Sequence, residues 1–201
     1  MLKKNIILSI LVVILLLVIF SICGYSVKFT PIPQYDFRKT NWGMSKEEVK
    51  LTEKKKPDLE LDNGFVYEVI IDKYNCYCFY YFLENKLHQS AYRFNEEHNN
   101  KNAYIEDYEN LKELLIKKYG KPTWENIDWK DDFYKDIRGN WGLAVARGDL
   151  KYVITWEDPI TTVQLKLSGE NYKIDLFIAY YSNELEDWAK EILDRKSINN
   201  L

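Results

Sequence analysis

The chain has 201 residues, with 28 Lys and Arg against 31 Asp and Glu and a formal net charge of −3. Lys3 and Lys4 are the only charged residues before position 24, so residues 24–201 set 26 basic against 31 acidic side chains, a formal charge of −5. Basic and acidic residues alternate along most segments, which argues against the clustered Lys and Arg of a nucleic-acid surface.

The run Ile6–Cys23 is eighteen residues long, broken only by Ser9 and Ser21, and carries no charge. As a helix it would reach roughly 27 Å at about 1.5 Å per residue, close to the roughly 30 Å hydrocarbon thickness of a bilayer. It exceeds the apolar core of about 7 to 15 residues in a secretory signal and lacks a small-residue cleavage pattern. Two anchors fit the run, an uncleaved membrane helix or a lipid. For the second, Ile19-Phe20-Ser21-Ile22-Cys23-Gly24 resembles a bacterial lipoprotein signal, in which Cys23 would carry the lipid and Ile22 departs from the small residue expected there. Lys3 and Lys4 favour a cytoplasmic N-terminus, so the remainder is expected to face outward at the cell membrane.

Residues 24–34, with Pro31 and Pro33, read as an extended tether, and residues 35–201 as one α+β domain. Ser45 and Glu48 have capping-box spacing, Met44 can staple onto Val49, and Pro57 is expected to stop that helix. Strands follow at Phe65–Ile71, Tyr74–Leu83 and Leu87–Phe94, with Glu84-Asn85-Lys86 as a tight connection in an antiparallel meander. A helix from Tyr104 to Tyr119 places Tyr104, Tyr108, Leu111, Leu114, Leu115 and Ile116 near one face and ends at Gly120 and Pro122. After a loop around Trp129 to Asp136, strands are expected at Leu143–Ala146, Tyr152–Trp156, Thr162–Leu167 and Lys173–Tyr181, with turns at Gly148-Asp149 and Gly169-Glu170-Asn171. A last helix starts near Asn183, capped with Glu186 and burying Leu185, Trp188, Ala189 and Ile192. The expected architecture is an antiparallel sheet with helices packed on one face.

Glu48, Lys56, Pro57 and Glu60 match Glu113, Lys121, Pro122 and Glu125 at an offset of 65 residues. Each half repeats a helix ended by proline and then a run of strands, which points to two tandem α-β-β-β(β) units. The phrases Gly43-Met44-Ser45-x-x-x-Val49 and Tyr119-Gly120-Lys121-Pro122 resemble the helix-plus-sheet modules of small outer-membrane-assembly lipoproteins (BamE-like) and of β-lactamase-inhibitor-like proteins. That resemblance implies partner binding through an exposed sheet face, without catalysis, and assigns no binding residue here.

Cys76 and Cys78 are two apart on a strand, so both sulfurs point to one face. Three fates stay open for them: small buried hydrophobes, a strained Cys76–Cys78 disulfide favoured by an outward compartment, or a metal site completed by His88 on the neighbouring strand. His98 is the only other histidine. Tyr77, Tyr81 or Tyr180 with Trp141 or Trp156 are candidates for a glycan-stacking platform, against core packing. Arg147-Gly148-Asp149 falls on an expected hairpin tip, and Asp128, Asp131, Asp132 and Asp136 make an acidic run without the ligand spacing of a calcium loop. No serine signature, phosphate loop or H-E-x-x-H occurs, so no catalytic residue and no cofactor are assigned. The expected function is a membrane-tethered, non-catalytic module that binds an envelope protein through its uncovered sheet face, with thiol or metal chemistry and wall-glycan binding as the alternatives.

Overall fold

Ser45 closes a capping box over the first helix, α1 (Lys46–Thr52): its hydroxyl accepts from the Glu48 N–H at 3.3 Å, and the Glu48 carboxylate accepts from the Ser45 N–H at 2.8 Å. The computed structural model of the protein describes residues 35–199; the expected anchor at 1–23 with Cys23 and the tether at 24–34 lie outside the described residues. The fold is α+β. After α1 come β1 (Leu59–Leu61), β2 (Gly64–Ile71), β3 (Tyr74–Leu83), β4 (Lys86–Phe94), α2 (Ala103–Tyr119), β5 (Trp124–Trp129), α3 (Trp141–Arg147), β6 (Leu150–Glu157), β7 (Thr161–Glu170), β8 (Lys173–Ser182) and α4 (Asn183–Asn199).

All eight strands form one antiparallel sheet in the order β1-β2-β3-β4-β8-β7-β6-β5. Each half is therefore a four-stranded meander, and the two meanders join through their last strands. Two of the hairpins turn on paired residues with positive φ, Glu84 with Asn85 (46° and 61°) and Asn171 with Tyr172 (51° and 64°). That pairing is the signature of a two-residue type I′ connection.

One face of the sheet holds the main core. Tyr67, Cys78, Tyr92, Ile178, Leu165 and Ile154 run across six strands as one row of cross-strand partners, all buried. Val49 of α1, Tyr108, Leu111 and Leu115 of α2, and Ala144 and Val145 of α3 pack onto this face. The N-terminal turn adds Phe37, whose ring lies 5.1 Å from Tyr92, 4.8 Å from Tyr180 and 5.5 Å from Tyr80. Its neighbour Arg38 reaches Glu53 in a two-point pair at 2.8 and 3.2 Å, and the Tyr80 hydroxyl donates to the same carboxylate at 2.5 Å. Burial opposes the Arg38 charge, but the bonds to Glu53 and the neighbouring Tyr92 hold its pKa above the ordinary value.

Several sequence expectations need correction. The helices do not all share one face: Leu83, next to the core residue Phe82 and so on the opposite side of β3, clusters with Ala189 and Ile192 of α4. Lys86, the cross-strand partner of Leu83, sits 5.1 Å from the Trp188 ring of the same helix. Leu143–Ala146 is helical within α3 because Gly148, at φ +86°, caps that helix in the left-handed conformation. The run reads equally well as a short strand or a buried helix segment. The β7–β8 turn lies at Asn171-Tyr172, since β7 continues through Glu170, and α4 is capped by Ser182, whose hydroxyl accepts from the Leu185 N–H at 3.2 Å. Edge strands β1 and β5 went unforeseen, and Leu114 and Ile116 of α2 face solvent. Among the described residues, no helix is long and apolar enough to cross a membrane.

Candidate functional site: the uncovered sheet face and its adjoining cleft

Strand alternation sends Tyr77, Phe79 and Tyr81 of β3 to the face away from the main core. In register with them, Val66, Phe79, Ala91, Ala179 and Gln164 form one row across β2, β3, β4, β8 and β7, and Glu68, Tyr77, Arg93, Phe177 and Lys166 form the next. The Ala91–Ala179 pair leaves a depression of about 310 Å³ where the two meanders meet, walled by Phe79, Tyr81 and Phe177. The Phe79 and Tyr81 rings lie parallel, 5.7 Å apart with 6° between their planes. Polar groups rim it: Gln89, Lys166 at 5.4 Å from the Phe177 ring, and Arg93, whose Nε donates to Asp175 Oδ1 at 2.6 Å across the β4–β8 seam. Helix α4 closes the end of this face near Leu83 and Lys86.

At the other end of the same strands lies a second hollow, a cleft of about 550 Å³ between the β4–α2 loop and the β7–β8 hairpin. Arg93 and Asp175 line both hollows and form the boundary between them; Tyr77, Tyr172, Lys173, Glu97 and His98 line the cleft alone. The Asp107 carboxylate, largely buried on α2, holds His98 Nε2 at 2.5 Å, and the Tyr104 hydroxyl accepts from the His98 backbone N–H at 3.2 Å. Those two bonds fix the loop. Glu96 is committed to the sheet end, accepting from the Asn75 backbone N–H at 2.9 Å.

The sequence-derived candidates separate on folding. Cys76 and Cys78 do share a face, but it is the buried one, and both thiols are free. No bridge joins them, and with two strand steps setting the Cα atoms roughly 6.6 Å apart, near the upper end of the roughly 4.4–6.8 Å of disulfides, one would be strained. His88 does not complete a metal site with them. It occupies the bulge of β4 opposite Phe82, whereas Cys78 pairs with Tyr92, four residues and roughly 13 Å along the strand. Among the described residues, no group of three or more His, Cys, Asp or Glu side chains could hold a metal. Burial pushes the Cys76 thiol up to about 11 and Cys78 higher still, so both stay protonated at neutral pH.

Of the aromatic candidates, Tyr77 and Tyr81 lie on the uncovered face, while Tyr180 and Trp156 are in the core. The Trp156 indole N–H donates to the Gly120 carbonyl at 2.9 Å. Trp141 belongs to α3 and packs edge-on against Trp129 at 5.7 Å. Arg147 and Asp149 pair with each other at 3.0 Å at the end of α3, not on a displayed tip. Three of the four acidic residues of that run are engaged locally: Asp131 accepts from the Phe133 N–H, Asp132 pairs with Lys135 and Asp128 with Lys151. Ala91, Ala179, Phe177, Arg93 and Asp175 carry no motif; only the β4–β8 pairing brings them together, across two strands about eighty residues apart in sequence, and Tyr172 joins them from the β7–β8 turn.

Comparison with family models, with curated proteins and with solved structures finds no match for this chain.

Proposed function

We propose that this chain is a membrane-tethered, extracytoplasmic binding module, without catalytic activity, whose uncovered sheet face docks a protein partner of the envelope. The apolar run Ile6–Cys23 supports the tether, as a spanning helix or through a lipid on Cys23. The observation that carries the docking surface is the depression over Ala91 and Ala179. It has an apolar, aromatic-walled centre sized for an anchoring side chain and a rim of Arg93, Asp175, Lys166 and Gln89, the layout of a protein interface with a hot spot at its centre. This is also the binding mode implied by the resemblance to envelope-assembly lipoprotein modules.

The test is site-specific photocrosslinking in intact cells. A crosslinker at Gln164, beside the depression, is expected to trap one discrete protein adduct that a crosslinker at Glu113 on α2 does not, and Ala91→Arg is expected to abolish it. Adducts that persist unchanged in Ala91→Arg would remove the proposal. Mass measurement of the mature protein decides the anchor: a start at Cys23 with added acyl mass means lipid, an intact N-terminus means a spanning helix.

A further inference from the structure

We propose that the 550 Å³ cleft beside the docking face is a separate binding site for a neutral oligosaccharide, gripped between Tyr172 and Tyr77. Its size falls within the roughly 300–1,000 Å³ typical of small-ligand sites.

The lining selects the ligand class by charge and by shape of its polar groups. Arg93, Lys101 and Lys173 balance Glu96, Glu97 and Asp175, so the cleft offers a net anion or a net cation no field to bind in. Carboxylates, the guanidinium, and the amides of Asn95 and Asn99 are planar groups that present donors or acceptors in pairs. A ligand with many adjacent hydroxyls, each both donor and acceptor, pairs with such a mixture; an apolar ligand would strand it. A pyranose ring also has a C–H face that lies flat on an aromatic side chain, and tyrosines line the cleft from β3, from α2 and from the β7–β8 turn.

Tyr172 is the most telling of these residues. It occupies the second position of a type I′ turn at φ +64°, where glycine is the ordinary choice and a bulky side chain is an outlier. The turn gains little in packing for this, because Tyr172 remains 64% exposed. Its backbone N–H donates to the Ala146 carbonyl at 2.9 Å, which pins the tip against α3 and holds the ring at the rim of the cleft. Strain retained at an exposed aromatic on a cavity rim is the pattern of a residue kept for a ligand.

The turn geometry also supplies a clean test, since Tyr172→Gly removes the ring while restoring the preferred turn residue. Full-length protein in a sugar-free detergent is titrated calorimetrically with chitotetraose, with cellotetraose and with a sulfated chondroitin tetrasaccharide. Binding of at least one neutral tetrasaccharide is expected, with preference between them reporting whether an N-acetylated or an unacetylated glycan is the source. Tyr172→Gly is expected to weaken that binding about tenfold or more while leaving the melting temperature equal or higher, and Glu97→Gln is expected to weaken it by a similar factor. Absence of binding by both neutral sugars, binding that Tyr172→Gly leaves unchanged, or salt-sensitive binding of the sulfated sugar alone would each overturn the proposal. Neither variant touches the Ala91–Ala179 depression, so the crosslinking result and the sugar titration stand or fall separately.

Discussion

Ala91 and Ala179 face each other across the β4–β8 seam on one side of the sheet, and Phe37 plugs the same seam from the other side, against Tyr92 and Tyr180. The joint between the two meanders is thus thick on its core face and hollow on its outer face. Small side chains at the hollow leave the depression open, while Phe37, Tyr92 and Tyr180 hold the joint from the far side.

Removal of that plug should be costly. Phe37→Ala is expected to destabilise the domain by about 3–5 kcal/mol, the usual loss for a fully buried phenylalanine, because three facing tyrosine rings lose their contact at once. Urea unfolding should show a lower midpoint with an unchanged slope.

The Arg38–Glu53–Tyr80 cluster should behave as a unit. Glu53→Ala leaves a half-buried guanidinium and the buried Tyr80 hydroxyl without their shared acceptor, at an expected cost of about 2–4 kcal/mol. Arg38→Ala combined with Glu53→Ala should cost less than the sum of the two single changes, as read from a double-mutant cycle in denaturant.

Gly142 lies where α3 meets the β4–α2 loop, and a Cβ there would come within 2.2 Å of the Lys101 carbonyl carbon and 2.4 Å of the Asn102 nitrogen. Both obstacles are backbone, so Gly142→Ala must shift α3 and should lose about 1–3 kcal/mol, as overpacking does. It should also disturb the bond from the Gly142 N–H to Asn102 Oδ1, visible as a changed amide resonance.

Cys76 and Cys78 should resist thiol reagents in the native protein at pH 8 and react fully once the chain is unfolded. Burial raises the Cys76 thiol from an ordinary 9.0 to about 11, so the folded state holds its proton where the unfolded state releases it. The stability this contributes is complete below pH 9 and is lost as pH rises from 9 through about 11. A Cys76→Ala, Cys78→Ala variant should show a shallower alkaline decline in unfolding free energy than the parent.

His88 acts at the other end of the scale. Burial lowers its pKa below the ordinary 6.5, so the native state keeps the imidazole neutral while the unfolded chain protonates it. The resulting loss of stability sets in as pH falls through about 6.5 and grows until the folded pKa is passed. His88→Gln should reduce the difference in unfolding midpoint between pH 7.5 and pH 5.5.

Local patterns were readable wherever a side-chain signal and a backbone signal coincided. Ser45 with Glu48 marked the start of α1, Gly120 marked the end of α2, and alternation marked β3 at its observed limits, Tyr74 and Leu83. They failed where one signal stood alone. Leu143–Ala146 is four residues of apolar chain that suits either state, and it became helix because the left-handed Gly148 and the sheet beneath it offered a place for one. Trp124–Trp129 became an edge strand through pairing with β6, although its side chains are mostly exposed and leave no burial pattern to read.

The chain's own order determined its compositional character, an apolar leader ahead of a mildly acidic α+β domain, and the identity of most hairpins, because these depend on neighbours a few residues apart. Tertiary structure decided which residues share a surface. Pairing β4 with β8 put Arg93 beside Asp175 and Ala91 beside Ala179, and turned Cys76 and Cys78 inward while His88 stayed at a distant bulge. Strand register is set by the burial of a whole face at once, so a site built across that seam exists only after both halves have folded against each other.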